Sequence, residues 1–151
     1  MIKAKDIAEL RNKTGAGVMD CKEALAKARG NKKKALDILK AMGKDRVKKR
    51  ADRMISQGLI ETYLHKGSRI GAIVEVACET DFVAKTDDFK KLAHNIAMQV
   101  ASMDPKDVKE LLGQFYIFDD KKKISDLLEE VITKTGEKCE IKRFERFELG
   151  E

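Results

Sequence analysis

Residues 70–78 read Ile70-Gly71-Ala72-Ile73-Val74-Glu75-Val76-Ala77-Cys78, and this stretch decides the fold class. Ile70, Ala72, Val74, Val76 and Cys78 alternate with Gly71, Ile73, Glu75 and Ala77, the period-two pattern of a strand with one buried face. Residues 59–65 form a second β-rich run, and Lys66-Gly67-Ser68-Arg69 between the two is the punctuation of a hairpin. Gly71 marks either a bulge or a close backbone approach.

Downstream, the period changes to that of a helix. Phe89, Leu92, Ala93, Ile96, Ala97 and Val100 fall on one side of residues 87–102, which should cover the sheet. Asp104-Pro105 reads as an N-cap and a helix-compatible proline opening a short helix through Val108, Leu111 and Leu112 to Gly113. Residues 114–118 read as a brief strand or an ordered loop. A helix carrying Ile124, Leu127, Leu128, Val131 and Ile132 ends at Gly136, and a final strand spans residues 138–147. Residues 58–151 are therefore expected to form an α+β core with an antiparallel sheet and covering helices.

Upstream, residues 1–43 read as a three-helix bundle. Ile7 and Leu10 mark a first stripe ending at Thr14-Gly15; Cys21, Ala24, Leu25 and Ala28 mark a second, closed by Gly30. Asn31 can cap a third helix, with Ala35, Leu36, Ile38, Leu39 and Met42 on its buried side and Gly43 at its left-handed terminus. Each helix is too short to persist alone, so the three must pack together. Residues 44–57 form a basic connector, helical and solvated through Arg53, where charged residues leave few apolar anchors.

Composition bounds the function. In 151 residues, 32 basic side chains face 26 acidic ones for a net charge of +6, which does not by itself demand nucleic acid. No apolar run is long enough to span a bilayer. Met1-Ile2-Lys3 leads into amphipathic sequence without a signal-peptide core, so a soluble cytoplasmic protein with no membrane partner is expected. Cys21, Cys78 and Cys139 are far apart and match no zinc spacing; buried thiols are expected, with an intermolecular disulfide open to any that is exposed. Only His65 and His94 are available for acid–base work, and no motif pairs either with a nucleophile. No Gly-x-x-x-x-Gly-Lys-Ser/Thr loop is present, so the chain is not expected to bind nucleotide itself. Nothing proposes an enzyme.

Two blocks go beyond generic helix and strand. Leu10-Arg11-Asn12-Lys13-Thr14-Gly15-Ala16-Gly17-Val18-Met19-Asp20-Cys21-Lys22-Glu23-Ala24-Leu25 joins a helix end, a glycine-bearing turn and a new helix start. Glu75-Val76-Ala77-Cys78-Glu79-Thr80-Asp81-Phe82-Val83-Ala84-Lys85 carries a Thr-Asp-Phe-Val core. Both resemble signatures of the elongation factor Ts family, and Arg143-Phe144-Glu145-Arg146-Phe147-Glu148-Leu149-Gly150-Glu151 resembles its C-terminal ending. Ala77 stands where an asparagine is common in that family.

The resemblance implies a guanine nucleotide exchange factor that needs no cofactor and acts by binding elongation factor Tu. It implies that the N-terminal bundle is similar to a ubiquitin-associated domain and docks on the partner's G domain through Arg11, Val18, Met19 and Lys22. Thr80, Asp81, Phe82 and Val83 would then dislodge Mg2+, with Asp81 and Phe82 intruding near the phosphate site so that GDP leaves and GTP rebinds. The chain is shorter than the longest family members, too short for two full core subdomains and their protruding helical hairpin. Short relatives are expected to pair, which implies a homodimer.

Set beside this, the rival reading is a small RNA-binding or ribosome-associated protein acting through Lys48, Lys49 and Arg50, with steeply salt-dependent affinity. No aromatic residue is interleaved with those charges to stack on bases. Without the signature, Phe82, Val18 and Met19 would each read as ordinary packing, and Asp81 as a cap for the next turn.

Overall fold

The structure, a computed structural model, describes residues 2–49 and 51–151. Met1 of the leading segment and Arg50 of the basic connector lie outside the described residues. In chain order the elements are α1 (Ala4–Thr14), α2 (Val18–Lys27), α3 (Lys32–Lys49), β1 (Gln57–Leu64), β2 (Ile70–Cys78), α4 (Asp81–Ala84), α5 (Asp87–Met103), α6 (Val108–Gly113), β3 (Phe115–Tyr116), β4 (Asp119–Lys123), α7 (Ile124–Thr135) and β5 (Cys139–Glu148). The fold class is α+β.

Helices α1 to α3 close on a small core of Leu10, Ala16, Cys21, Ala24, Leu25, Ala28, Ala35 and Leu39. The Asn31 side chain accepts from the Lys34 amide at 3.0 Å and so starts α3 as expected. The helix end expected at Gly43 is not there: α3 continues to Lys49. The glycine serves packing instead, since a Cβ at Gly43 would lie 2.7 Å from the Thr133 hydroxyl of α7. Beyond it Val47 packs against the second, larger core, an anchor that the solvated reading of this segment left out.

That second core lies between the sheet and its helices. The strands run antiparallel in the order β1-β2-β5. Ala72, Val74, Val76 and Cys78 of β2 meet Phe89, Leu92, Ala93, Ile96, Ala97 and Val100 of α5, matching the stripes read from the sequence. Burying a side chain of this size contributes roughly 1.5 to 3 kcal/mol, so α5 holds the sheet more firmly than the hairpin turn does. The opposite sheet face stays open, with Ile60, Leu64, Ile73 and Phe147 exposed on it.

Three local expectations are corrected. No register shift occurs at Gly71; the irregularity lies between Glu75 and Val76, where Lys142 is skipped in the pairing with β5. The close backbone approach occurs at Gly58, whose φ of 147° and contact with the Val76 carbonyl leave no room for a Cβ. Asp104 ends α5 in a left-handed conformation rather than opening the next helix, and Asp107 caps α6 by accepting from the Glu110 amide at 2.7 Å. The brief strand after Gly113 pairs with β4, which the sequence reading did not anticipate.

Candidate functional site

The first block is a rigid turn between α1 and α2. Gly15 takes φ 69° and its amide donates to the Arg11 carbonyl at 2.7 Å, while the Thr14 hydroxyl donates to the Leu10 carbonyl at 2.8 Å and accepts from the Ala16 amide at 3.2 Å. Ala16 and Cys21 are buried beneath it. Arg46 of α3 pairs with Asp20, tying the start of α2 to the bundle. Val18 and Met19 are thereby displayed rather than packed, Met19 at 70% exposure. Arg11 and Lys22 are exposed as well. The four residues expected at a docking surface therefore all lie at the surface of the bundle.

The second block begins where β2 ends. Thr80 is the N-cap of α4: its hydroxyl accepts from the Val83 amide at 3.4 Å. The cap role weighed for Asp81 thus belongs to Thr80. Asp81 instead pairs with Lys85 at 3.0 Å, and the ammonium holds its carboxyl below the usual carboxylate range. Thr86 closes the turn by donating to the Val83 carbonyl at 2.7 Å and then caps α5 by accepting from the Phe89 amide at 3.3 Å.

Within this single turn the side chains part company. Val83 and Ala84 are buried in the second core, while Asp81 is exposed and Phe82 is 81% exposed. Val83, grouped with them in the sequence reading, anchors the turn from below. Phe82 is the most exposed phenylalanine among the described residues, held out on an anchored turn. The two blocks do not share a core: Met19 projects from the N-terminal bundle and Phe82 from the sheet-and-helix unit.

One contributor was not legible in the sequence. Glu137, in the link between α7 and β5, accepts from the Glu79 amide at 3.1 Å, the Thr80 amide at 2.9 Å and the Thr80 hydroxyl at 2.6 Å. Its partners lie 57 and 58 residues away, so no local pattern could have revealed it. The two histidines are both exposed near Tyr63, whose hydroxyl meets His65 Nδ1 at 3.0 Å and whose ring meets His94 edge-on. Among the described residues no cluster of His, Cys, Asp or Glu could hold a metal ion, and no helix is long and apolar enough to cross a membrane.

The family model described as Elongation factor TS matches residues 79–151, which start one residue before Thr80. A protein of Thermoanaerobacter sp. (strain X514) named Elongation factor Ts is 41% identical over all of this chain and 96% of its own length. The chain belongs to the elongation factor Ts family. Elongation factor Ts of Moorella thermoacetica is 40% identical over all of this chain and 97% of its own, and that of Thermotoga maritima 40% over 96% and 94%. The aligned span with the Moorella elongation factor Ts is 196 positions against 151 residues here, so that relative carries residues this chain lacks. The RNA-binding reading of the basic connector finds no support in these comparisons.

Proposed function

We propose that this chain acts in the cytoplasm as a guanine nucleotide exchange factor for elongation factor Tu. It binds the GDP-bound form, promotes GDP release and is displaced when GTP enters. The observation that carries this reading is Phe82, exposed on a one-turn helix that is anchored by Val83 and Ala84. Arg11, Val18, Met19 and Lys22 dock the N-terminal bundle, which resembles a ubiquitin-associated module, on the partner's G domain. Thr80, Asp81, Phe82 and Val83 form the segment that dislodges Mg2+, with Asp81 and Phe82 entering near the phosphates and Val83 fixing them from within.

Magnitude limits what each part can do. Burying one phenylalanine in a partner is worth roughly 1.5 to 3 kcal/mol, or about one to two powers of ten in an equilibrium. Phe82 alone therefore cannot supply a very large weakening of GDP, and disturbance of the Mg2+ ligands must add to it. Linkage sets the cycle: whatever factor this chain takes from GDP affinity, GDP takes from its own. No covalent chemistry is needed, so the chain acts by binding and not as an enzyme in the strict sense.

A homodimer fits the same reading. The open sheet face carries Ile60, Leu64, Ile73 and Phe147, and a second copy laid on it would remove that surface from water. The test of exchange is release of a fluorescent GDP from elongation factor Tu, followed by stopped flow at fixed Mg2+ while this protein is titrated in. A saturable acceleration that falls about tenfold in Phe82→Ala is expected. No acceleration by folded protein would defeat the proposal.

A further inference from the structure

We propose that Glu137 is a positioning residue for exchange, holding the Asp81-Phe82 turn in its presenting conformation through a reciprocal clasp with Glu79 and Thr80. The inference rests on the role proposed above for Phe82. The Glu137 carboxylate receives three donors, the amides of Glu79 and Thr80 and the Thr80 hydroxyl, at 3.1, 2.9 and 2.6 Å. In return the Glu79 carboxylate accepts from the Lys138 amide at 2.8 Å and pairs with Arg53 at 3.3 Å. Each of two chain segments thus satisfies the backbone of the other, and the point they fasten lies immediately before Asp81.

The clasp does more than tie two loops. Helix α4 is four residues long, and a single turn does not nucleate on its own. It forms because Thr80 is kept extended, at φ −125° and ψ 154°, with its oxygen aimed at the Val83 amide. A hydroxyl rotor can turn its proton either way. By taking that proton, Glu137 leaves a lone pair of Thr80 Oγ1 facing Val83, which completes the cap. A charged acceptor is suited to this task because hydrogen bonds to an ionised group are shorter and stronger than neutral ones. Val83 then points inward and Phe82 outward. Removing the carboxylate frees Thr80 to rotate and lets the turn fray while α5, capped separately by Thr86, stays formed.

The experiment is a mutant cycle on full-length protein, reading GDP release from elongation factor Tu at saturation and the concentration giving half-maximal effect. Glu137→Ala should lower the saturating rate about tenfold, by the factor expected for Phe82→Ala, with the half-maximal concentration moving about twofold or less because the bundle still docks. Glu137→Gln keeps a carbonyl that can accept from both amides but sets an NH2 donor opposite the Thr80 hydroxyl, so it should recover the rate only in part. The double variant Phe82→Ala/Glu137→Ala should be no slower than Phe82→Ala alone, since Glu137 acts through that side chain. Multiplying effects in the double variant would overturn the positioning role, as would a fast Glu137→Ala beside a slow Phe82→Ala. A Phe82→Ala as fast as wild type would bring the proposal down together with the reading it rests on. Amide hydrogen exchange on the free protein separates those failures, because loss of protection at Thr80 and Val83 in Glu137→Ala reports the clasp without the partner. Should Glu137→Ala not fold, Thr80→Val removes only the hydroxyl and is read by the same cycle.

Discussion

Cys78 and Cys139 stand opposite each other in the register of β2 and β5, and both thiols are buried. Burial pushes Cys78 up to about 11 and Cys139 up to about 12; the Glu137 carboxylate adds to both, and for Cys139 the neighbouring Cys78 adds more. Cys21 is raised by burial too. All three are therefore protonated near neutral pH, and an aromatic disulfide reagent at pH 8 should modify none of them until the protein unfolds. The linkage has a definite sign. The folded thiols titrate above the unfolded ones, so their stabilisation is complete below pH 9 and is lost as pH rises from there toward 11. Urea titrations from pH 8 to 10.5 should show stability falling by up to about 1.4 kcal/mol per pH unit per thiol. A Cys78→Ala/Cys139→Ala variant should be less stable at pH 8 but lose most of that slope.

Gln99 is the one buried polar side chain among the described residues. Its amide nitrogen donates to the Phe115 carbonyl at 3.0 Å and the Gln114 side chain at 3.2 Å, and its oxygen accepts from the Ile117 amide at 3.0 Å. It thereby fastens the β3–β4 hairpin to α5. Gln99→Leu keeps the volume but strands the Phe115 carbonyl and the Ile117 amide, at about 1 to 3 kcal/mol for each group left unpaired. Equilibrium unfolding should show a loss of about 2 to 6 kcal/mol, with amide exchange at Ile117 accelerated beyond the global change.

These side chains mark where sequence reading succeeds and stops. The strand alternation from Ile70 and the helical stripe from Phe89 were legible because burial imposes a period on consecutive residues. Gly43 was misread because a glycine that ends a helix and one that admits a neighbouring helix look alike until Thr133 is placed beside it. Gln99 lies on the same helical face as Leu92 and Ile96, yet only the hairpin that receives its hydrogen bonds explains it. The exposure of Phe82 was expected from the signature alone; periodicity would have buried it. Glu137 was silent because its partners are remote in the chain.

Met19 and Phe82 are both exposed hydrophobic side chains, but they should fail differently. Met19 projects from the bundle and Phe82 from the other core, and in the function proposed above Met19 contributes to docking. Burial of a methionine is worth roughly 1.5 to 3 kcal/mol, and Met19→Ala should raise the concentration needed for half-maximal exchange about tenfold while the saturating rate is kept. Phe82→Ala should do the opposite. Loss of saturating rate in Met19→Ala, with the fold intact, would show that the bundle does more than dock.

The open sheet face supplies the final prediction. Ile60 and Leu64 of β1, Ile73 of β2 and Phe147 of β5 lie on one side of a three-stranded sheet, and Phe147 is 70% exposed. The same face carries Glu75, Glu140, Arg143 and Glu145, with Lys142 beside Ile60 and Glu75, and Arg143 pairs with Glu75 at 3.2 Å, leaving the patch nearly neutral. A surface of this kind associates through apolar burial, so added salt should strengthen rather than weaken it. Sedimentation at micromolar concentration should therefore give a particle of twice the 17.0 kDa chain mass, persisting at high ionic strength. Phe147→Glu places a charge on the apolar face of each copy in a symmetric dimer, and its desolvation opposes pairing. That variant should sediment as a monomer, and its thermal unfolding midpoint should fall by the linkage lost with the partner and cease to depend on protein concentration, since the side chain is not part of the core. If exchange needs both copies, the monomeric variant loses the saturable acceleration of GDP release; full activity in the monomer would make the pairing dispensable.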